Sequence, residues 1–422
     1  MLDIKFIREN KDVVIAGAKK KHIEVDIEQL LKLDDTRKEL QARVEEKRAE
    51  QNAASNAISS ADDTERARII DSMSSVKHDL KLAEEELAKV MQDWRALMVQ
   101  VPNVPDMSVP EGDTDAENKE IKTWGEIPKF DFEPKNHIDI MLDHDMVDLE
   151  RGTKVAGFRG YYLKNDGARL AWAIWQYAQQ FFLRKEFTPM IVPSLVRREA
   201  FLGSGYLPQG EDDLYKTQDG DYLAGTAEVA TMGYYMNEVI EKSVLPEKFL
   251  SFSPCYRREA GAHGKDTRGL IRVHEFYKWE QVILCEASHE ESVKWHEWLN
   301  RNTEEFIESL KIPYHTVVNC GGDLGLGQVK KYDIELWVPG ENTYREIAST
   351  SYFHDFQTRR LNIRYKDDAG VMRFAHSMNS TAAPTPRILV SIIENYQRAD
   401  GSIEIPEVLR PFMGTYAIEK RN

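Results

Sequence analysis

The stretch FLSFSPCYRREAGAHGKDTRGLIRVHEFYKWEQVIL, residues 249 to 284, spaces arginines, carboxylates and one ring in a way that suits a bound nucleotide. Read as two strands joined by a loop holding Gly261, Gly264 and Gly269, it sorts its side chains by alternation. Arg257 and Glu259 then share a face of the first strand, and Arg272, Phe276 and Glu280 share a face of the second. Two guanidiniums can hold a triphosphate through forked, charge-assisted hydrogen bonds. The ring can stack on a purine, and the carboxylates can accept from ligand amino groups. The competing reading is a solvated face laced with salt bridges.

Such a pair of strands needs a scaffold. Ile69, Met73, Val76, Leu80, Ala83, Leu87, Val90, Trp94 and Leu97 alternate spacings of four and three, the seam of a coiled coil. Leu30, Leu33, Arg37, Leu40, Val44, Lys47, Gln51, Ala54 and Ile58 keep the same rhythm with more polar members. The economical reading is an antiparallel helical hairpin turning near Ser59 to Thr64, with Ser60 or Asp63 as N-cap, a dimerisation coiled coil being the alternative. Pro102, Pro105 and Pro110 end the helical pattern and mark a domain boundary, giving domains 1–103 and 104–422. From about Trp124, short β-branched and aromatic runs mix with helical segments without βαβ rhythm, which predicts an α+β domain with an antiparallel sheet. Neither a G-x-G-x-x-G nor a P-loop pattern is present, disfavouring Rossmann and P-loop nucleotide binding.

Composition sets further bounds. A formal net charge of −15 argues against indiscriminate nucleic-acid binding, while residues 1–100 carry only about −3, so an RNA-facing surface is expected at the front. Cys255, Cys285 and Cys320 are too scattered for a disulfide framework or a structural zinc site. No apolar run approaches the ~18 residues of a membrane span, and residues 1–14 lack the pattern of a signal peptide. A cytoplasmic location with no membrane role is the expectation.

The segment from Cys255 to Glu280 resembles, nearly residue for residue, motif 2 of the seryl-tRNA synthetases, a family of class II aminoacyl-tRNA synthetases. The resemblance implies a class II antiparallel sheet flanked by helices, preceded by a coiled-coil arm. It implies that Arg257 meets the α-phosphate and the amino acid carboxylate, with Arg258 beside it. Glu259 would take the adenine amino group, Arg272 the γ-phosphate, Phe276 the adenine face and Glu280 the serine. The run GTKVAGFRGYYLKNDGARLAWAIWQYAQQFFLRKEFTPMIVPSLV is similar to motif 1, the dimer-forming helix after Gly167 and strand ending at Pro193. YLAGTAEVA resembles the serine-site loop, implying Thr226, Ala227 and Glu228. TYREIASTSYFHDFQTRRLNIRY resembles the block in which Glu346, Ile347, Ala348 and Ser349 face ATP and Glu346 and Ser349 hold Mg2+. Residues three apart point to opposite faces of a regular strand, so a bend or bulge is expected between them. NSTAAPTPRILVSIIENYQRADGSIEIPEVLRPFMG resembles motif 3, with Arg387 on the γ-phosphate and Asn379 and Thr381 beside the serine.

These roles imply a serine–tRNA ligase. The serine carboxylate attacks the α-phosphorus of ATP, and the seryl group passes to the 3′ end of serine tRNA, with selenocysteine tRNA as a second candidate substrate. Arg257, Arg272 and Arg387 would be the catalytic residues, acting by positioning and charge. Homodimerisation and tRNA contact through the arm follow from the same resemblance. Ala348, Ser380 and Ala230 depart from the family's usual serine, glycine and proline. The arm tip QNAASNAISSADDTE is neutral to acidic, while Lys19, Lys20, Lys21, Arg37, Lys38, Arg43, Lys47 and Arg48 lie nearer its base, which places the expected RNA contacts at the base and middle. Two other classes compete: an enzyme that loads activated serine on a carrier protein, and an inactive coiled-coil scaffold.

Overall fold

The computed structural model describes residues 1–59, 62–261, 264 and 266–420. The chain forms two compact units, residues 1–19 with 23–102 and residues 20–22 with 103–422.

In the first unit, α1 (Ile4–Glu9) and α2 (Lys11–Lys20) precede the long pair α3 (Ile27–Ile58) and α4 (Asp63–Met98). With 32 and 36 residues, the pair extends about 50 Å. Every seam position on both helices is buried or half-buried, polar members included. Arg37 earns its place by laying its guanidinium 5.2 Å from the centre of the Trp94 ring. The N-cap of α4 is Asp62, whose carboxylate accepts from the Thr64 and Glu65 amides, in place of the expected Asp63; Ser60 lies outside the described residues.

One polar residue off the seam is buried at the base of the hairpin. Asp34 is fully buried and accepts from Arg8 at 2.9 Å and Arg37 at 2.8 Å, with Lys38 also at 2.8 Å, which fastens α1 to α3. Burial opposes its ionisation, but the bonds from Lys38, Arg37 and Arg8 outweigh that and draw the carboxyl down to about 2.

The second unit is built on an eight-stranded sheet: β1 (Lys119–Trp124), β2 (Thr188–Ile191), β3 (Glu247–Tyr256), β4 (Glu275–Cys285), β5 (Tyr314–Val318), β6 (Lys330–Val338), β7 (Thr343–His354) and β8 (His376–Thr385). Their order is β1-β5-β6-β7-β8-β4-β3-β2, antiparallel throughout except for β2 against β3. The first strand thus starts five residues before the expected Trp124. Helices α5 (Asn165–Leu183) and α6 (His289–Ser309) cover one face, followed in chain order by α7 (Phe356–Leu361) and α8 (Arg387–Asn395). Leu170, Ile174 and Phe182 of α5 and Leu299 and Phe306 of α6 join Ile283, Ile334 and Leu336 in one core. The odd-numbered residues of β4 serve this face: Trp279 Nε1 donates to Trp175 O at 3.1 Å, and Gln281 Nε2 donates to Thr303 Oγ1 at 2.9 Å. Even-numbered ones are left for the other side.

Asp34→Ala is expected to destabilise the helical unit by about 1.5–3 kcal/mol, the worth of a charge-assisted bond. Because the folded carboxyl titrates below its unfolded value of about 3.9, its stabilisation is full above that pH and is lost as pH falls toward about 2. Thermal unfolding followed by helix circular dichroism should therefore show wild type and D34A converging over that interval.

Candidate active site

Phe276, Lys278 and Glu280 alternate along β4 onto the face opposite the helices and line a cavity of about 350 Å3. On neighbouring β8, Asn379 and Thr381 line it too. Thr381 pairs with Glu280 and Ala383 with Trp279, so Ala382 is an extra residue that adjusts the register at this point. Ser380 turns to the helix side, where its hydroxyl meets Thr350 at 2.8 Å and Thr303 at 3.2 Å.

Arg257, Glu259 and Arg272 also line the cavity, though not by the strand alternation expected of them. β3 ends at Tyr256 and β4 begins at Glu275, so all three belong to the connecting loop. The loop stays paired one step beyond the strands, with Arg257 N donating to His274 O at 3.0 Å. It then reverses through Glu259 at a φ of 54°. Gly269, at φ 85°, lies so close to His137 that an added Cβ would stand 2.4 Å from Nε2. The expected turn glycine Gly261 needs no such freedom, and Ala262, His263 and Lys265 lie outside the described residues.

The bulge expected between Glu346 and Ser349 is present. Ala348 pairs with Ile334 and Glu346 with Glu335, leaving Ile347 as the additional residue of β7. Glu346, Ile347 and Ser349 consequently all reach the cavity. Arg387, first residue of α8, donates to Ile271 O at 2.9 Å and Glu346 O at 2.6 Å and lies 3.8 Å from the Glu346 carboxylate. Burial opposes ionisation of Glu346, but Arg387, Lys331 and Arg257 outweigh it and hold its carboxyl below the ordinary range. Glu259 bonds Arg272 at 2.5 Å, and Asp266 bridges Arg272 at 3.3 Å and Arg345 at 2.5 Å. The salt-bridged face of the competing reading is thus real for this pair, and an anionic ligand would draw Arg272 away from Glu259. Arg257 lays its guanidinium 5.3 Å from the Phe276 ring centre.

At the other end, Thr226 meets the lysine of β4: Lys278 Nζ donates to Thr226 Oγ1 at 3.0 Å and to Thr381 Oγ1 at 3.4 Å and forms an ion pair with Glu280. Glu228 accepts from Tyr206 at 2.9 Å and from Gln357 of α7 at 2.6 Å. Burial pushes its carboxyl up to about 7, the negative charge of Glu280 adding to the effect while both bonds oppose it.

Comparison with known proteins gives this geometry a family. Residues 214–396 match the tRNA synthetase class II core domain (G, H, P, S and T), and residues 1–105 match the seryl-tRNA synthetase N-terminal domain. A serine–tRNA ligase of Deinococcus radiodurans is 42% identical over 415 residues, 98% of each chain. The chain belongs to the seryl-tRNA synthetase family. A seryl-tRNA synthetase of Pyrococcus horikoshii, crystallised with ATP, superposes with a TM-score of 0.90 at 34% identity over all of both chains. A cytoplasmic serine–tRNA ligase of Naegleria fowleri, in complex with AMP, does so at 0.87 and 31% identity, over 100% of this chain and 99% of that one.

Within this seryl-tRNA synthetase fold, three expected site residues stand off the cavity. Arg258 donates to Asp212 O at 3.0 Å, and Ala227 and Ala348 are buried without lining it. Lys278, Tyr206 and Gln357 were missed. Lys278 was legible, being an even step from both Phe276 and Glu280, and Gln357 lies within the block after Thr343 that resembles the family; Tyr206 comes from a segment outside every motif and carried no signal. Lys20 and Lys21, expected near the RNA, are internal to the second unit. Lys20 donates to Val109 O at 2.6 Å. Lys21 is buried and donates to the carbonyls of Gly325 and Leu326 at 3.1 Å each and of Gln328 at 2.5 Å. Asn103 Nδ2 caps Gly327 O at 3.0 Å, so side chains from residues 21 and 103 hold every carbonyl of a turn that lines the cavity.

Glu228 keeps a proton when folded that it releases when unfolded, so between its ordinary value of 4.5 and about 7 stability falls as pH rises. Glu228→Gln should remove that slope. Urea unfolding at about pH 5 and 7.5 is expected to show wild type losing on the order of 3 kcal/mol more than E228Q.

Proposed function

We propose that the chain, a serine–tRNA ligase by family, joins L-serine to ATP in this cavity and passes the seryl group to the 3′ end of serine tRNA. The carrying observation is that Arg257, Arg272 and Arg387 line the same cavity as Glu280, Asn379 and Thr381, which puts anion-binding and hydroxyl-binding groups within one small volume. Arg257 bridges the serine carboxylate and the α-phosphate, Arg272 and Arg387 take the γ-phosphate, and Phe276 and Glu259 hold the adenine. Thr226, Glu228 and Glu280 hold the serine. The carboxylate attacks the α-phosphorus in line, pyrophosphate leaves, and a terminal ribose hydroxyl of the tRNA then attacks the seryl carbonyl, releasing AMP. No side chain becomes covalently linked. The rate comes from fixed geometry and from positive charge aimed at the phosphorus.

Glu346 and Ser349 fit a magnesium ion: both are oxygen donors on the cavity wall, and neighbouring cations keep the Glu346 carboxyl ionised. When bound, the ion neutralises phosphate charge.

The domains 1–103 and 104–422 divide the work, the first holding tRNA by the arm and the second doing the chemistry. Arg43 is exposed, and Lys47 and Arg48 form ion pairs with Glu50 and Glu84, which phosphates can displace. Homodimerisation is supported by exposed apolar residues on and after the motif 1 helix and strand, Trp172 at 54% and Ile191 at 87%. Among the described residues no helix is long and apolar enough to cross a membrane, and residence in the cytoplasm completes the proposal.

Serine-dependent ATP–pyrophosphate exchange tests the first step. Serine is expected to support it and alanine, glycine and threonine to fail, with Arg257→Ala lowering kcat by about 10²–10³; absence of exchange with serine rejects the reading. Replacing Arg43, Lys47 and Arg48 together by Gln should weaken tRNA charging while leaving exchange unchanged. Unchanged charging kinetics would remove the arm from the proposal.

A further inference from the structure

Lys278 is a buried ammonium that the mechanism above does not use. Its three hydrogens have three partners, Thr226 Oγ1 at 3.0 Å, Thr381 Oγ1 at 3.4 Å and the Glu280 carboxylate, so none remains for a ligand. An ammonium only donates, which forces both threonine oxygens to accept from it. Thr226 Oγ1 accepts a second bond from Glu228 N at 3.3 Å, so its lone pairs are taken and its own hydrogen is all it has left to offer. Thr381 Oγ1 accepts only from Lys278 among the described residues, so it keeps its hydrogen and one lone pair. Beside them, Glu280 Oε2 is buried and, apart from the ion pair, accepts no hydrogen bond among the described residues.

We propose that Lys278 is a positioning residue for amino acid selection: with the Glu228 amide it leaves Thr226 only a hydrogen to offer, and it holds Thr381 and Glu280 beside it, so that the cavity matches a ligand group that accepts and donates at once. This rests on the reading of the cavity as a serine site. A hydroxyl satisfies both demands with one atom. The methyl of alanine gives the threonine hydrogen no acceptor and Glu280 no donor beyond Lys278, and sites that bond a substrate hydroxyl reject analogues lacking it by about 10⁴-fold. Without the ammonium, Thr226 regains a lone pair and can rotate its hydrogen away, and its polarity toward a ligand is no longer set.

The test is pyrophosphate exchange with serine and with alanine. In Lys278→Met the serine-to-alanine ratio of kcat/KM should fall at least about tenfold. The loss should fall on the KM for serine, with the KM for ATP within about threefold of wild type. Because Lys278 acts through Thr226 as well as Thr381, adding Thr381→Val to K278M should lower the ratio by less than T381V lowers it in the wild-type background. An unchanged ratio in K278M, an equal loss for both amino acids, or a full extra loss in the double variant overturns the proposal. Should K278M fail to fold, Lys278→Gln is read by the same ratio: it offers two hydrogens instead of three, and an unchanged ratio overturns the proposal equally. Wild type lacking serine-dependent exchange would reject the function itself; wild type exchanging with K278M equally selective rejects only this inference.

Discussion

Taking a charge out of water costs several kcal/mol unless another charge or a set of dipoles replaces the solvent, and the cavity side of the central strands is organised around that constraint. Lys278 is matched by Glu280 and two threonines. Arg387 is matched by two carbonyls and by Glu346, whose own ionisation depends on Arg387, Lys331 and Arg257. Arg272 shares Glu259 and Asp266. Where a match is incomplete, the group gives up its charge instead, as Glu228 does at about 7. The cavity is thus a charge network in which a substrate carboxylate, ammonium or phosphate changes the balance of several residues together.

The sheet makes this possible by keeping its two faces chemically apart. Helices α5 and α6 cover one face with an apolar core, while the other carries the polar cavity beside a second buried apolar cluster that includes Val282 and Leu284 of β4. Two bulges then tune the polar face. The extra Ile347 carries both Glu346 and Ser349 to the cavity, and the extra Ala382 sets Thr381 opposite Glu280. A regular strand would send one of each such pair into the core, where an unpartnered carboxylate is not tolerated.

The motif residues were legible because type and spacing near one another in sequence report on one strand or one turn. Phe276 and Glu280 follow from a period of two, the arm from its unbroken seam, and the bulge at Ile347 from the conflict between spacing and common role. Arg257, Glu259 and Arg272 were grouped correctly but for a reason that does not hold: loop reversal at Glu259, not strand alternation, brings them together. Lys20 and Lys21 were misplaced because a run of lysines reads as solvated, and only tertiary packing shows a turn of bare carbonyls waiting for Lys21.

What the sequence determined by itself was the family, the helical arm and the antiparallel sheet, since those depend on local order and residue type. What only the tertiary structure decided was which groups from separate segments share one low-dielectric volume. Glu228, Tyr206, Gln357, Lys278 and Thr381 are spread from residue 206 to 381, and the hydrogen bonds that join Tyr206 and Gln357 to Glu228, and Lys278 to Thr381, span 2.6 to 3.4 Å. Electrostatic coupling depends on separation in space and on exclusion of water, and neither is a property of position along the chain.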